Sequence, residues 1–271
     1  MKVIFLDMDG VMIDENTSIY EGKHFNDYLK YTFLLNDKFE ILKTICDKYG
    51  LSVVVSSSWK VGNEKPETWE ECRSLYDLIN KFKQYNIPFA GVTPSVPNPE
   101  LPWGQRMWKE FDIQAYLFLN KDVTHYVIID DAFENDLDSL KDHLIKTKYN
   151  EDGIGNGGLL PHHINEVKDK LKPREFYTED EMKENLLYKQ IMDSEFNLIN
   201  SGNEGLFIKN EEYVINILVT YDKKSVLYHW YDICDDDKWG VFNNYEDFLE
   251  LLKYFNIIER NDDEKKLMRR C

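Results

Sequence analysis

The sequence predicts a doubly wound α/β fold with a mostly parallel, Rossmann-like sheet, followed by a small C-terminal α+β domain. Up to residue 172, short apolar and β-branched runs alternate with patterns of helical period, which is typical of a parallel sheet covered by helices on both faces. Beyond that residue, two strand-like runs flank a polar turn, which is typical of an antiparallel hairpin. We therefore expect two domains, residues 1–172 and 173–271.

The individual elements follow from hydrophobic spacing and from residues that end helices or form turns. Residues 37–50 place apolar side chains at helical intervals and end at a glycine, which is favoured just past a helix. The same spacing predicts further helices at 66–85, at 108–119, between 131 and 143, and from about 161. Parallel strands are predicted at 3–6, 51–55, 87–92, 125–129 and 143–147. In the second domain we predict a capping box at 178–181 that opens an acidic helix, strands at 213–220 and 225–233, and a helix at 245–255.

The cysteines and the absence of a targeting pattern limit the class of protein. No two of the four cysteines have Cys-x-x-Cys spacing, which predicts free thiols in a reducing compartment and argues against a zinc site. The sequence shows no basic leader segment and no apolar window of membrane-spanning length. We therefore expect a soluble, cytoplasmic protein with no membrane partner.

The charge balance is strongly acidic. A net charge of −17 argues against nonspecific binding along a nucleic-acid backbone, because that affinity comes from lysine and arginine side chains that displace counterions. Most of the excess acid is expected on solvated surface, and a local basic groove stays open as an alternative.

Polar side chains follow three of the predicted strands. The first strand ends in Asp7 and Asp9, the second in Ser56, and the fourth in Asp130 and Asp131. Because ligands gather at the carboxyl ends of parallel strands, these groups are expected to converge, although an acid pair alone could simply cap a turn or a helix. Two acid clusters with a hydroxyl suit Mg²⁺, which takes oxygen ligands and bridges to phosphate.

At these residues the sequence resembles the haloacid dehalogenase (HAD) superfamily of phosphotransferases. Its four motifs are matched by Asp7-Met8-Asp9-Gly10, Ser56, a basic residue near 109, and Asp130-Asp131. The segments FLDMDGV, VVVSSSWK and VIIDDAFEND are most similar to HAD domains associated with RNA-repair systems. The resemblance covers about residues 1–172, and the spacing between its motifs leaves no room for a large cap domain.

The resemblance implies a role for each acid. Asp7 would attack phosphorus to give an aspartyl-phosphate, and Asp9 would protonate the leaving oxygen and later activate water. Mg²⁺ would be held by the Asp7 carboxylate, the Asp9 backbone carbonyl and Asp130. Asp131 would be a ligand through water or would orient the other groups.

The resemblance also implies groups that bind the phosphoryl oxygens. Ser56 would hydrogen-bond one of them, with the Ser57 backbone amide beside it, although a serine run can also cap a helix. The basic residue could be Arg106 or Lys109. The family spacing fits Lys109, whose alternative is a solvated helix lysine.

The expected function is a Mg²⁺-dependent phosphomonoester hydrolase whose phosphorylated substrate could be an RNA or DNA end. The missing cap favours a polymer end, and Lys60, Arg106 and Lys109 could line its path, whereas the net charge opposes it. The alternatives are a small-molecule phosphatase or nucleotidase, and a non-catalytic binding module with the HAD fold. Protein partners are not predicted.

A few other residues invite functional interpretations. Trp59 could stack on a base or belong to the core. His162 and His163 are expected at the surface rather than as metal ligands. The glycines at 153–158 resemble a dinucleotide loop only superficially, because the strand and helix around them are too far apart.

Overall fold

The computed structural model describes residues 1–13, 36–60, 75–96, 109–132, 136–149, 157–174, 186–192, 199–200, 206–209, 213–219, 226–232, 238–242 and 244–254. The chain forms two compact units, the first made of Met1–Pro94 with Asp112–Glu175 and the second of Ser95–Phe111 with Phe176–Cys271. The domain boundary at residue 172 stays a prediction. No helix in the described part of the chain is both long and apolar enough to cross a membrane.

The first unit contains a six-stranded, mostly parallel sheet, as predicted. Its strands are β1 (Lys2–Leu6), β2 (Ser52–Val55), β3 (Phe89–Val92), β4 (His125–Asp130), β5 (Leu144–Lys146) and β6 (Lys172–Pro173). Its α-helices are α1 (Asn36–Tyr49), α2 (Leu75–Tyr85), α4 (His163–Lys170) and, from Asp112 onward, α3 (Lys109–Leu119). The strand order is β3-β2-β1-β4-β5, all parallel, and β6 pairs with β4 in antiparallel orientation.

This order makes the sheet doubly wound. From β1 the chain moves outward to β2 and β3 on one side, and it then returns to add β4 and β5 on the other. The strand order therefore reverses between β1 and β4, which places a crevice at their carboxyl ends.

The three central strands are buried because helices cover the sheet. Val3 to Leu6 in β1, Val53 to Val55 in β2 and Tyr126 to Asp130 in β4 are all buried. Continuous apolar runs of this kind are typical of strands covered on both faces. α1 contributes buried Phe39, Leu42, Ile45 and Cys46 to the same core.

The second unit carries an antiparallel sheet in the order β11-β10-β9-β8-β7. Its strands are β7 (Ile199–Asn200), β8 (Leu206–Lys209), β9 (Tyr213–Val219), β10 (Val226–Asp232) and β11 (Lys238–Phe242), and its helices are α5 (Leu186–Met192) and α6 (Tyr245–Tyr254). The predicted hairpin is β9 with β10, and α6 matches the predicted last helix. Strands β7, β8 and β11 were not predicted, and α5 follows the predicted capping box, which lies outside the described residues.

Two elements of the first unit differ from prediction. A 3₁₀ helix, Asp138–His143, stands where an α-helix is predicted before β5, and the Leu140 N–H donates to the carbonyl of Leu137 three residues back. β3 begins at Phe89 rather than residue 87, because the Ile87 N–H instead donates to Phe82 to close the end of α2.

Several predictions fall outside the described residues. They concern the first part of the predicted helix at 66–85, the capping box at 178–181, Arg106, and the glycines at 153 and 155. The expectation that no large cap is present also depends on the ranges 14–35, 61–74 and 97–108, which lie outside the described residues.

Candidate active site

The acids that follow β1 and β4 meet at one edge of the sheet because the two strands are neighbours. Leu6 pairs with Ile129, and the Asp7 N–H donates to the Ile129 carbonyl at 3.0 Å. Asp130 is the last residue of β4, and Asp131 follows it. The site therefore lies where the strand order reverses, the usual ligand position in open α/β sheets.

Three carboxylates converge at this edge. Oxygen atoms of Asp7, Asp130 and Asp131 all lie within 4.8 Å of one another. Asp7 and Asp130 are buried, whereas Asp131 is partly exposed. This all-oxygen donor set suits Mg²⁺, Ca²⁺ or Mn²⁺ better than it suits zinc or copper.

Gly10 makes room for the third carboxylate. Its φ is +74°, in the left-handed region that glycine adopts without strain. A Cβ atom on this residue would lie 2.0 Å from Asp131 Oδ2, which is far inside contact distance. A larger residue at this position would therefore displace Asp131 or the turn that carries it.

Thr147 links the turn after β1 to the end of β4 through two hydrogen bonds. Thr147 Oγ1 donates to the Gly10 carbonyl at 2.8 Å, and its backbone N–H donates to the Asp130 carbonyl at 2.9 Å. Thr147 is buried just past β5. Thr147 was not predicted as part of the site, because a lone threonine after a short strand carries no motif signal.

Ser56 is positioned by the strand next to β1. Its backbone N–H donates to the Leu6 carbonyl at 2.8 Å, so Ser56 follows β2 as Asp7 follows β1. Its Oγ is buried and makes no hydrogen bond within the described residues. A buried hydroxyl without a partner is unfavourable unless a ligand satisfies it, which suits a phosphoryl-binding role. Ser57, rather than Ser56, contacts the backbone of the turn that follows, because its Oγ lies 3.5 Å from the Trp59 backbone nitrogen.

Trp59 is a core residue that reaches the motif after β1. Its side chain is only 3% exposed, so the ring is not an open platform for stacking a base. Its indole Nε1 donates to Asp9 Oδ2 at 3.3 Å. Asp9 itself is half-buried, and it lies outside the group formed by Asp7, Asp130 and Asp131.

Lys60 does not line an open path for a polyanion, so that prediction is wrong. Its Nζ lies 2.7 Å from Asp112 Oδ2, and the two side chains are 8% and 7% exposed. The prediction counted Lys60 with Arg106 and Lys109 as cations that could line the path of a polyanion. In the structure its charge is already neutralised inside the protein.

Lys109 is the first residue of α3 and is partly exposed. It precedes Asp112 by three residues, so the two positions are neighbours on the helix surface. Arg106 lies outside the described residues, and the choice between the two cations stays a prediction.

The two adjacent histidines differ in exposure. His162 is exposed as expected, but His163 is buried, so the surface prediction is wrong for His163. His163 Nδ1 accepts the Leu160 N–H at 2.9 Å, which puts the proton of the neutral ring on Nε2. Although His162, His163 and Glu166 lie close together, His163 then has no nitrogen lone pair left for a metal.

The part of the glycine loop that the structure describes serves packing. Gly158 has a φ of +70°, and a Cβ on it would lie 2.3 Å from the Val11 carbonyl oxygen. The next residue, Leu159, donates its N–H to the same carbonyl at 2.7 Å. The loop therefore covers the turn after β1, and this close packing explains why glycine is required there.

The comparisons with known proteins agree with this geometry. A family model described as the HAD domain in Swiss Army Knife RNA repair proteins matches residues 3–154, which include all the residues predicted for the site. No curated protein and no solved structure gives a match. Because the matched segment is more than half of the chain and carries the acid cluster, the chain belongs to the HAD domains of Swiss Army Knife RNA repair proteins.

Proposed function

We propose that this protein is a Mg²⁺-dependent phosphomonoester hydrolase that acts through an aspartyl-phosphate on Asp7. The observation that carries the proposal is the group of Asp7, Asp130 and Asp131 oxygens within 4.8 Å of one another. Carboxylates this close repel one another, and a divalent cation between them removes the repulsion. Membership of the HAD family supports a hydrolase of the phosphatase type.

The residues at the site fit a magnesium ion. The Asp7 carboxylate, the Asp9 backbone carbonyl and Asp130 would hold it, and Asp131 would act through a water or orient the other ligands. Bound Mg²⁺ would neutralise negative charge between the nucleophile and the phosphate. The space beside Gly10, which a Cβ would fill, keeps Asp131 close enough for this role.

The reaction has two balanced steps. In the first, an Asp7 oxygen attacks phosphorus, the bond to the leaving oxygen breaks with its electron pair, and that oxygen takes a proton from Asp9. In the second, Asp9 takes a proton from water, whose oxygen attacks phosphorus and breaks the bond to Asp7. The products are an alcohol and inorganic phosphate, and both acids return to their starting states.

Ser56 and Lys109 would bind the phosphoryl group. The buried Ser56 Oγ lacks a hydrogen bond within the described residues, and a phosphoryl oxygen would supply one. The Ser57 backbone amide would act beside it. Lys109 would offset charge on Asp7 and the phosphoryl oxygens, and its place one helical turn before the anchored Asp112 supports a fixed position.

Phosphate release from p-nitrophenyl phosphate and from a panel of phosphate esters tests the reaction. Wild-type protein should require Mg²⁺, and Asp7→Asn should have no turnover while its circular dichroism spectrum is unchanged. Asp130→Asn should mainly raise the Mg²⁺ concentration needed for half-maximal rate. Turnover that persists in Asp7→Asn would exclude the covalent mechanism and leave a binding module or another chemistry.

We further propose that the substrate is a phosphate at the end of an RNA or DNA strand. The support is the description of the family, RNA repair, together with an open site expected from the motif spacing. The net charge of −17 opposes a polyanion, but charges beyond a Debye length of about 8 Å are largely screened at physiological salt. With Lys60 buried, the contacts beyond the phosphate must come from other residues.

The substrate is tested by comparing kcat/KM for a 3′-phosphorylated oligonucleotide with that for the matching mononucleotide, at low and at physiological salt. A polymer-end enzyme should prefer the oligonucleotide at physiological salt, where repulsion by distant acidic groups is largely screened. Equal or higher values for the mononucleotide at both salt concentrations would favour the alternative of a small-molecule phosphatase or nucleotidase.

A further inference from the structure

We propose that Trp59 is a positioning residue for Asp9, which it holds so that the acidic proton faces the leaving oxygen. The inference rests on the proposed function, because it assigns a proton-transfer role to Asp9. It adds a residue that lies outside the four motifs and that acts through Asp9 rather than by touching the substrate.

The geometry shows a fixed donor aimed at a partly exposed acid. Trp59 Nε1 lies 3.3 Å from Asp9 Oδ2, at the long end of the hydrogen-bond range, and the two residues are 50 positions apart in the sequence. The indole is 3% exposed. The 3₁₀ turn that carries it, Ser58–Lys60, ends at the lysine paired with Asp112. The indole donor therefore has little freedom to move. Asp9, in contrast, lies on the turn after β1, where the substrate must bind.

The chemistry distinguishes the two Asp9 oxygens. An indole N–H can only donate a hydrogen bond, so it favours the unprotonated oxygen of a carboxylic acid as its acceptor. When Asp9 is protonated, Oδ2 is therefore the carbonyl oxygen and the proton lies on Oδ1. In the first step that proton moves from Oδ1 to the leaving oxygen as the bond from phosphorus to that oxygen breaks. Loss of the indole donor weakens the preference for the proton to lie on Oδ1, which reduces the fraction in the productive orientation.

A purely structural hydrogen bond between two loops would look the same in the structure but would behave differently in kinetics. Loss of a purely structural hydrogen bond would slow the hydrolysis of all substrates to a similar degree. Loss of a positioning contact to a general acid slows mainly those esters whose leaving group needs a proton. Nitrophenolate leaves as an anion and needs no proton, whereas an alkyl alcohol must gain a proton as it leaves.

The test is the dependence of kcat/KM on the leaving group, measured with p-nitrophenyl, phenyl and alkyl phosphates, because kcat/KM reports the first step, whereas the second step is common to all esters. Wild type should show a shallow dependence and Asp9→Asn a steep one. Trp59→Phe should lose only a few-fold in kcat/KM with p-nitrophenyl phosphate but on the order of 10-fold with the alkyl ester. Trp59 replaced by benzothienylalanine, which keeps the shape of the ring and loses the N–H, should behave in the same way.

A second readout does not depend on turnover. The chain has six tryptophans, and Trp59→Phe identifies the indole N–H signal of Trp59 in a ¹H–¹⁵N spectrum. That signal should shift, and its exchange with solvent should speed up, in Asp9→Ala. Leu42→Ala, a truncation in the core of α1, is the control for lost packing and should leave the leaving-group dependence unchanged.

The outcomes separate the two proposals. If neither Asp9→Asn nor Trp59→Phe steepens the leaving-group dependence, the proposed acid role of Asp9 is wrong. If only Asp9→Asn steepens it, the proposed function stands and the role of Trp59 is overturned. If both Trp59 variants hydrolyse all esters more slowly by the same factor, the positioning role of Trp59 is also overturned. The hydrogen bond to Asp9 would then be purely structural.

Discussion

Lys60 and Asp112 form an ion pair that is almost completely removed from water. The distance from Nζ to Oδ2 is 2.7 Å, and the side chains are 8% and 7% exposed. The same Nζ donates to the Pro94 carbonyl at 2.8 Å and to Thr93 Oγ1 at 3.3 Å. One buried cation therefore joins the turn after β2, the segment after β3 and the first turn of α3. Burying the cation is costly, and these hydrogen bonds offset the loss of water.

Removing one partner of this pair should strongly destabilise the first unit. We expect Lys60→Met to lower the free energy of unfolding by about 3–5 kcal/mol, because the Asp112 carboxylate stays buried without its lysine. The double variant Lys60→Met with Asp112→Leu should lose less than the sum of the two single variants. Urea denaturation followed by circular dichroism measures all three.

The exposed pair of Lys43 with Asp47 on α1 provides the control. Lys43→Met should cost at most about 0.5 kcal/mol, as exposed pairs on helices usually do. Strictly additive losses at Lys60 and Asp112 would contradict an energetic coupling between them.

Much of the first unit could be predicted because its signals are local in the sequence. β1, β2 and β4 are continuous apolar runs, and each ends in polar residues that the parallel topology brings to one edge. The acid cluster of Asp7 and Asp130 follows from that topology alone.

The supporting contacts could not be predicted in this way. Trp59 reaches Asp9 across 50 residues, and Lys60 reaches Asp112 across 52. Such pairs have no period and no motif, because they are set by how the loops pack after the sheet has formed. A lysine whose ammonium group has three polar partners looks the same in sequence as a solvated one.

The identity of the catalytic cation is tested by comparing two alanine variants. Lys109→Ala should lower kcat/KM by about 10²- to 10³-fold, because it removes a positioned charge from the phosphoryl group. Arg106→Ala should have a smaller effect. Steady-state kinetics with one phosphate ester and saturating Mg²⁺ provides the comparison, and an inactive Arg106→Ala beside a normal Lys109→Ala would reverse the assignment.

The buried thiol of Cys46 should make stability fall at alkaline pH. Burial, assisted by the charge of Asp47, raises its pKa from 9.0 to about 12. The folded state therefore keeps the proton that the unfolded chain has lost. This contribution is fully present below pH 9 and is lost as the pH rises toward 12, by up to about 1.4 kcal/mol per pH unit.

Comparison with Cys46→Ala isolates that contribution, because other groups also titrate in this range. Urea denaturation at several pH values above 9 should give a steeper loss of stability for wild type than for Cys46→Ala. Parallel pH profiles for the two proteins would mean that the thiol contributes nothing to the alkaline transition.

Gly10 and Gly50 offer a matched pair for testing the proposed metal site. Their φ angles are +74° and +66°, so alanine at either position carries a similar backbone strain, on the order of 1–2 kcal/mol. Among the described residues, a Cβ at Gly10 would meet Asp131 Oδ2 at 2.0 Å, whereas a Cβ at Gly50 would meet nothing within 4 Å. We expect both variants to lower the melting temperature, and Gly10→Ala to lower it further.

Metal binding should separate the two variants more sharply than stability does. Calorimetric titration with Mg²⁺ should show at least a roughly 10-fold weaker affinity for Gly10→Ala and an unchanged affinity for Gly50→Ala, because only the first displaces a carboxylate of the cluster. Adding Asp131→Gly to Gly10→Ala removes Oδ2, Cγ and Cβ of Asp131, the three atoms that would lie within 3 Å of the new Cβ. That double variant should therefore regain much of the melting temperature that the clash costs without regaining Mg²⁺ affinity. If Gly10→Ala bound Mg²⁺ as tightly as wild type, the Asp131 carboxylate would not belong to the site that holds the ion.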